Sequence, residues 1–88
     1  MKCLIAYDIS EPKRLRRVAK TLEKYGIRIE KSVFTCDLAP SKITKLCGEL
    51  HKCSKHEDTI LLFQLPSNAR CIAIRGILES YEPEACYI

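Results

Sequence analysis

No apolar run in this sequence approaches the ~20 residues that a membrane-spanning helix needs, so neither a span nor a membrane partner is expected. The first residues also lack the pattern of a secretory signal, which points to a cytoplasmic chain. Aromatic residues are scarce, 7% in all, and tryptophan is absent. A sheet that reads RNA by stacking bases needs aromatics on its open face, and the first strands offer only Tyr7 and Phe34. No linker-like stretch divides the chain. Residues 77–88 contain no lysine or arginine at all, only three glutamates.

The bases are all elsewhere. Fifteen lysines and arginines lie within residues 1–76 against eight acids, which gives that body a charge of +7. A basic body with an acidic tail suggests a polyanionic ligand for the former and a different partner for the latter. At 88 residues the chain makes one small domain, 1–76, near the size at which a single core is barely sufficient, with the tail 77–88 beyond it. Oligomerisation is a common remedy. Six cysteines are many for this length, but several fall on apolar stripes, so they are expected as buried, reduced thiols.

Residues 2–10, KCLIAYDIS, organise the rest. Cys3 to Tyr7 form a nearly continuous apolar run, suited to a strand in mid-sheet, and Asp8 follows directly. Ser10 is placed to cap a helix, with Glu11 and Pro12 in its first turn. Leu15, Val18, Ala19, Leu22 and Tyr25 recur at helical spacing, and Gly26 is read as the C′ residue. The outer face carries Lys13, Arg14, Arg16, Arg17, Lys20 and Lys24. Over 27–38 the apolar positions change phase near Lys31 and Ser32, so the segment is either a hairpin of two strands or one bulged strand; two short strands are preferred. A second helix starts near Pro40, with Ile43, Leu46, Cys47 and Leu50 as its stripe. Residues 54–58 read as a polar loop, 59–65 as a strand, 66–70 as a turn and 71–75 as a fifth strand. This is an α+β chain with the ferredoxin-like βαββαβ order and an additional C-terminal strand.

Three groupings carry chemistry. Asp8, a carboxylate fixed where a strand meets its loop, either caps the next turn or holds a hard divalent cation. Between Glu11 and Lys31 there are eight bases and three acids, a balance that suits phosphate neutralisation without sequence readout. Cys47, His51, Cys53 and His56 include zinc-ligand types, but their spacing matches no usual structural pattern, and Cys47 sits on the apolar stripe.

Taken together, AYDIS at 6–10, LEKYG closing a basic helix at 22–26, IRIEKSVFTCDL at 27–38 and DTILLFQL at 58–65 resemble the CRISPR-associated endoribonuclease family, the small second core protein of CRISPR adaptation. The likeness covers residues 1–76. The chain departs from the family pattern at Glu30, where Gln is usual, and at Thr35, where Glu is common. The resemblance implies a ferredoxin-like homodimer whose fifth strand, here 71–75, adds to the partner's sheet, with the two Asp8 carboxylates facing each other across Mg²⁺. It implies Mg²⁺-dependent cleavage of RNA or DNA phosphodiesters. It also implies a bridging role in which the protein joins two CRISPR integrase dimers in a heterohexameric complex on duplex DNA. On this reading Asp8 is the catalytic residue and metal ligand. Lys13, Arg14, Arg16, Arg17, Lys20, Arg28 and Lys31 bind duplex DNA or single-stranded RNA, and Tyr7, Ser32 and Phe34 support them. Rival readings are a toxin-type ribonuclease and a metabolite-binding regulatory domain of the same fold.

Overall fold

The apolar run becomes β1 (Lys2–Asp8), the middle strand of a five-stranded antiparallel sheet of order β2-β3-β1-β4-β5 in the computed structural model. The structure describes residues 1–65 and 71–76, with Cys71 and Ile72 described by their backbone only. The expected turn at 66–70 and the tail at 77–88, with its Tyr81, Tyr87 and Ile88, lie outside the described residues. The other elements are α1 (Pro12–Glu23), β2 (Ile27–Glu30), β3 (Val33–Asp37), α2 (Pro40–Cys53), β4 (Thr59–Leu65) and β5 (Cys71–Arg75). The fold is thus α+β, ferredoxin-like, with one strand added.

Strand alternation sets the layers. Cys3, Ile5 and Tyr7 of β1 point to one side, joined by Phe34 and Cys36 of β3 and Ile60 and Leu62 of β4. Val18 and Leu22 of α1 and Ile43, Leu46 and Leu50 of α2 close the core over them. The opposite sheet face carries Leu4, Ala6, Val33, Thr35, Leu61 and Phe63, all half-buried, and neither helix covers it.

The phase break over 27–38 resolves as both devices at once. β2 and β3 form an antiparallel hairpin, and its register shifts between Arg28 and Glu30. Ile27 and Ile29 consequently stay outside the core, 70% and 50% exposed.

Within the single chain β5 pairs with β4. Arg75 fastens it there: Nε donates to Ser54 Oγ at 3.1 Å, and Nη2 donates to the carbonyls of His51 and Ser54 at the end of α2. Glu11, not Ser10, caps α1, its carboxylate accepting from the Lys13 amide. Gly26 is not left-handed; Gly76, at φ +92°, is the left-handed glycine among the described residues.

The four cysteines whose side chains are described, Cys3, Cys36, Cys47 and Cys53, are free thiols packed in or against the core. Burial lifts the Cys36 thiol to about 11, so it stays protonated near neutrality. Among the described residues no three His, Cys, Asp or Glu side chains come together as a metal site, so Cys47, His51, Cys53 and His56 do not assemble one. No described helix is long and apolar enough to cross a membrane.

Candidate nucleic-acid interface

Asp8 ends β1, opposite Thr59 of β4, and by alternation it belongs to the open sheet face with Leu4 and Ala6. It is exposed and forms no ion pair among the described residues. The carboxylate is therefore available, on a position held by pairing with β4.

A cleft of about 460 Å³ opens beside it. β1 and the residue after it contribute Tyr7, Asp8 and Ile9. The first turns of α1 contribute Leu15, Arg16 and Ala19. The β2–β3 hairpin contributes Arg28, Lys31 and Ser32. Residues far apart in sequence meet here because the helix returns over the end of β1 and the hairpin folds beside it. A Tyr7 N–H to Ser32 carbonyl bond of 3.1 Å ties the hairpin turn to β1.

Arg28 is held from two directions. Its Nη1 donates to the Lys31 carbonyl at 2.9 Å, and its guanidinium carbon lies 5.1 Å from the centroid of the Phe34 ring. Phe34 is buried and stacks with Tyr7 at 6.3 Å. A guanidinium seated on an aromatic face keeps its remaining N–H groups for a ligand. Burial pushes the Tyr7 phenol above its usual range, against the opposing pull of Arg28. It remains a neutral hydroxyl at physiological pH.

The expected cations do not all join this cleft. Arg17 and Lys20 line a neighbouring depression of about 570 Å³ with Lys24 and Cys53. Lys13 is exposed on the first turn of α1. Arg14 corrects the expectation of a phosphate contact. Its Nε donates to Asp58 Oδ2 at 2.9 Å and its Nη2 to Asp58 Oδ1 at 3.1 Å, so both arms of the fork are used. Ile9, Leu15 and Ala19 were not anticipated at the site. Leu15, on the predicted core stripe, is instead 37% exposed, and the helical spacing that places it beside Ala19 does not distinguish the two environments.

Comparison with known proteins bears on the family and the fold. The profile of the family CRISPR associated protein Cas2 matches residues 1–71. CRISPR-associated endoribonuclease Cas2 of Nitratidesulfovibrio vulgaris is 36% identical over 91 aligned residues, spanning 96% of this chain and 89% of that protein. CRISPR-associated endoribonuclease Cas2 3 of Synechocystis is 42% identical over 60 residues, 68% of this chain and 65% of that protein. The crystal structure of Streptococcus pyogenes Cas2 superposes with a TM-score of 0.71 at 32% identity, covering 77% of this chain and 89% of that one. Family profile, relatives and fold agree: the chain belongs to the Cas2 family.

Proposed function

We propose that this protein is a cytoplasmic, homodimeric endonuclease of CRISPR systems that acts on RNA or DNA phosphodiesters with Mg²⁺ held at Asp8. The observation that carries this reading is the exposed Asp8 carboxylate at a strand end, beside a cleft lined by Arg16, Arg28 and Lys31. The relatives named endoribonuclease or endonuclease support the chemistry. Mg²⁺ commonly keeps several waters and needs only one or two carboxylates besides substrate phosphate. A single accessible Asp8 per chain, with no cation bonded to it among the described residues, fits that demand. When bound, the ion would activate water and offset charge on the phosphate. The chain's own part is to orient the strand. Arg28, fixed over Phe34, and Arg16 on α1 hold phosphate oxygens, and Lys31 adds charge at the hairpin.

Dimerisation is supported by the apolar sheet face that neither helix covers. Asp8 stands at the margin of that face, so stacking two copies there would bring two carboxylates towards one another, a repulsion that a shared divalent cation relieves.

A second reading is favoured by a separate observation. Lys13, Arg16, Arg17 and Lys20 are exposed along α1, and no acid among the described residues pairs with them. That row suits a non-catalytic bridge that holds duplex DNA between two CRISPR integrase dimers. The test compares wild type with Asp8→Asn for two readouts, Mg²⁺-dependent cleavage and assembly with the integrase on duplex DNA. Lost cleavage with intact assembly is expected. Undiminished cleavage would remove Asp8 from the mechanism.

A further inference from the structure

We propose that the cleft beside Asp8 contains a subsite for one unstacked nucleobase, with Leu15 as its apolar contact. The inference rests on the reading of this cleft as a phosphodiester site.

Phosphate binding alone explains only half of the lining. Arg16, Arg28 and Lys31 supply positive charge, but Ile9, Leu15 and Ala19 lie among them. Leu15 is the odd member. It stands between Arg14 and Arg16 on the most basic helix of the chain, more than a third exposed, and packs into no core. An apolar patch ringed by cations is complementary to a nucleotide, whose base has apolar faces and whose phosphates are anionic. Tyr7 and Ser32, both hydroxyl-bearing, line the same cleft and suit the polar edge of a base. A volume of about 460 Å³ has room for one nucleotide.

A base within a duplex is paired and stacked on both sides, so filling this subsite would require its extrusion, which costs a few kcal/mol. A single strand pays far less. The site differs from a stacking platform because its floor is aliphatic and sits at the end of the sheet, not across its open face. Sequence preference would therefore be weak, while dependence on having a base at all would be strong.

The test uses the full-length protein without magnesium, so that no cleavage occurs, and reads fluorescence anisotropy. Two short single strands of equal length are compared, one with ordinary bases and one built of abasic residues with the same phosphates. Wild type is expected to bind the base-bearing strand about tenfold more tightly, the scale of one base contact. Leu15→Asn changes no charge and sits at the surface, so it should bring the two affinities together while leaving the abasic strand's unchanged. A thermal melt verifies that the variant is folded.

Equal wild-type affinity for the two strands would overturn the subsite and leave the phosphate site standing. A preference for bases that survives Leu15→Asn would overturn its location. Failure to bind either strand would overturn the phosphodiester reading itself. A free mononucleotide that binds as tightly as the strand would overturn the assignment to a polynucleotide.

Discussion

Arg14 and Asp58, 44 positions apart, are joined by a two-armed hydrogen-bonded ion pair, 2.9 Å at Nε and 3.1 Å at Nη2. Asp58 is 1% exposed and also accepts the Lys55 amide at 2.8 Å. One carboxylate thus locks the loop before β4 to the start of α1. The pair fixes the helix whose next residues, Leu15 and Arg16, line the cleft.

Removing one partner leaves the other charge stranded. Arg14→Gln is expected to lower the melting midpoint by about 10 °C, the scale expected when a small domain loses a buried charge partner. Arg17→Gln, on the exposed face, should move it by no more than about 2 °C. Equal effects, read by circular dichroism, would show that Arg14 is an ordinary surface cation.

The same pair sets a pH dependence. The Arg14 hydrogen bonds hold the Asp58 carboxyl below its ordinary value of 3.8, with the Lys55 amide adding to the effect. A carboxylate whose folded value is depressed contributes stability above its unfolded value and loses it as pH falls through the folded one. Wild type should therefore lose stability below about pH 4 more steeply than Asp58→Asn, which has no such proton to take up. Parallel pH profiles would exclude Asp58 as a source of acid sensitivity. Glu49, held low by bonds from Tyr25 and Lys24, titrates in the same direction in both proteins and cancels in the comparison.

Duplex binding should follow the outer face of α1. Replacing Arg16, Arg17 and Lys20 together by Glu is expected to reduce the slope of log affinity against log salt by about 3, given ~0.9 for each lost phosphate contact. Arg14→Gln should leave that slope unchanged while it destabilises the fold. An unchanged slope in the triple variant would place the duplex on another surface.

Much of this was legible because local periodicity reports local structure. The apolar run ending in Asp8 and the stripe of α1 each lie within one element, where side-chain period and fold coincide. The phase change near Lys31 located the hairpin for the same reason. Arg14 and Leu15 were misread because the helix is rotated from the symmetric wheel. Thr21 is buried and Leu15 is not, so Arg14 turns towards α2 and the loop holding Asp58. That partner lies in a polar loop whose local sequence carries no sign of it. The seat of β5 was likewise illegible, because pairing with β4 and the Arg75 bonds to α2 are long-range facts.

The open sheet face makes a prediction about assembly. Phe63 lies there with Leu61 and Leu4, half-buried in the single chain. Phe63→Glu should convert a dimer to a monomer in light scattering at micromolar concentration while keeping the monomer's helical signal, since the side chain is outside the core layer. If β5 exchange were the main bond between copies, deleting residues 71–88 would abolish the dimer and Phe63→Glu would not. A dimer unaffected by Phe63→Glu would exclude this face as the interface.

Gly26 offers the sharpest separation between backbone space and helix propensity. Its amide bonds to the Leu22 carbonyl at 2.9 Å as the chain leaves α1, and it does not occupy the left-handed region. What requires glycine there is the approach of β3. A Cβ would lie 2.2 Å from the Thr35 carbonyl oxygen and 2.9 Å from Cys36 Cβ. The first of these is backbone within the sheet and cannot swing aside, so β3 or the end of α1 must move. Gly26→Ala is therefore expected to destabilise by about 2–3 kcal/mol, within the range for overpacking a close-packed site. Gly48 is the control, in the middle of α2, where an added Cβ meets nothing within 4 Å. Gly48→Ala should stabilise by about 1 kcal/mol, the difference in helix propensity. Opposite signs for the same added methyl group, measured by urea unfolding, would confirm that Gly26 sets the spacing between α1 and β3. That spacing also reaches the site, because β2 begins at the next residue and carries Arg28 one further on, directly opposite Phe34. Gly26→Ala should accordingly weaken single-strand binding as well as stability, whereas Gly48→Ala should leave binding untouched. A Gly26→Ala protein as stable as wild type would mean that β3 yields at little cost.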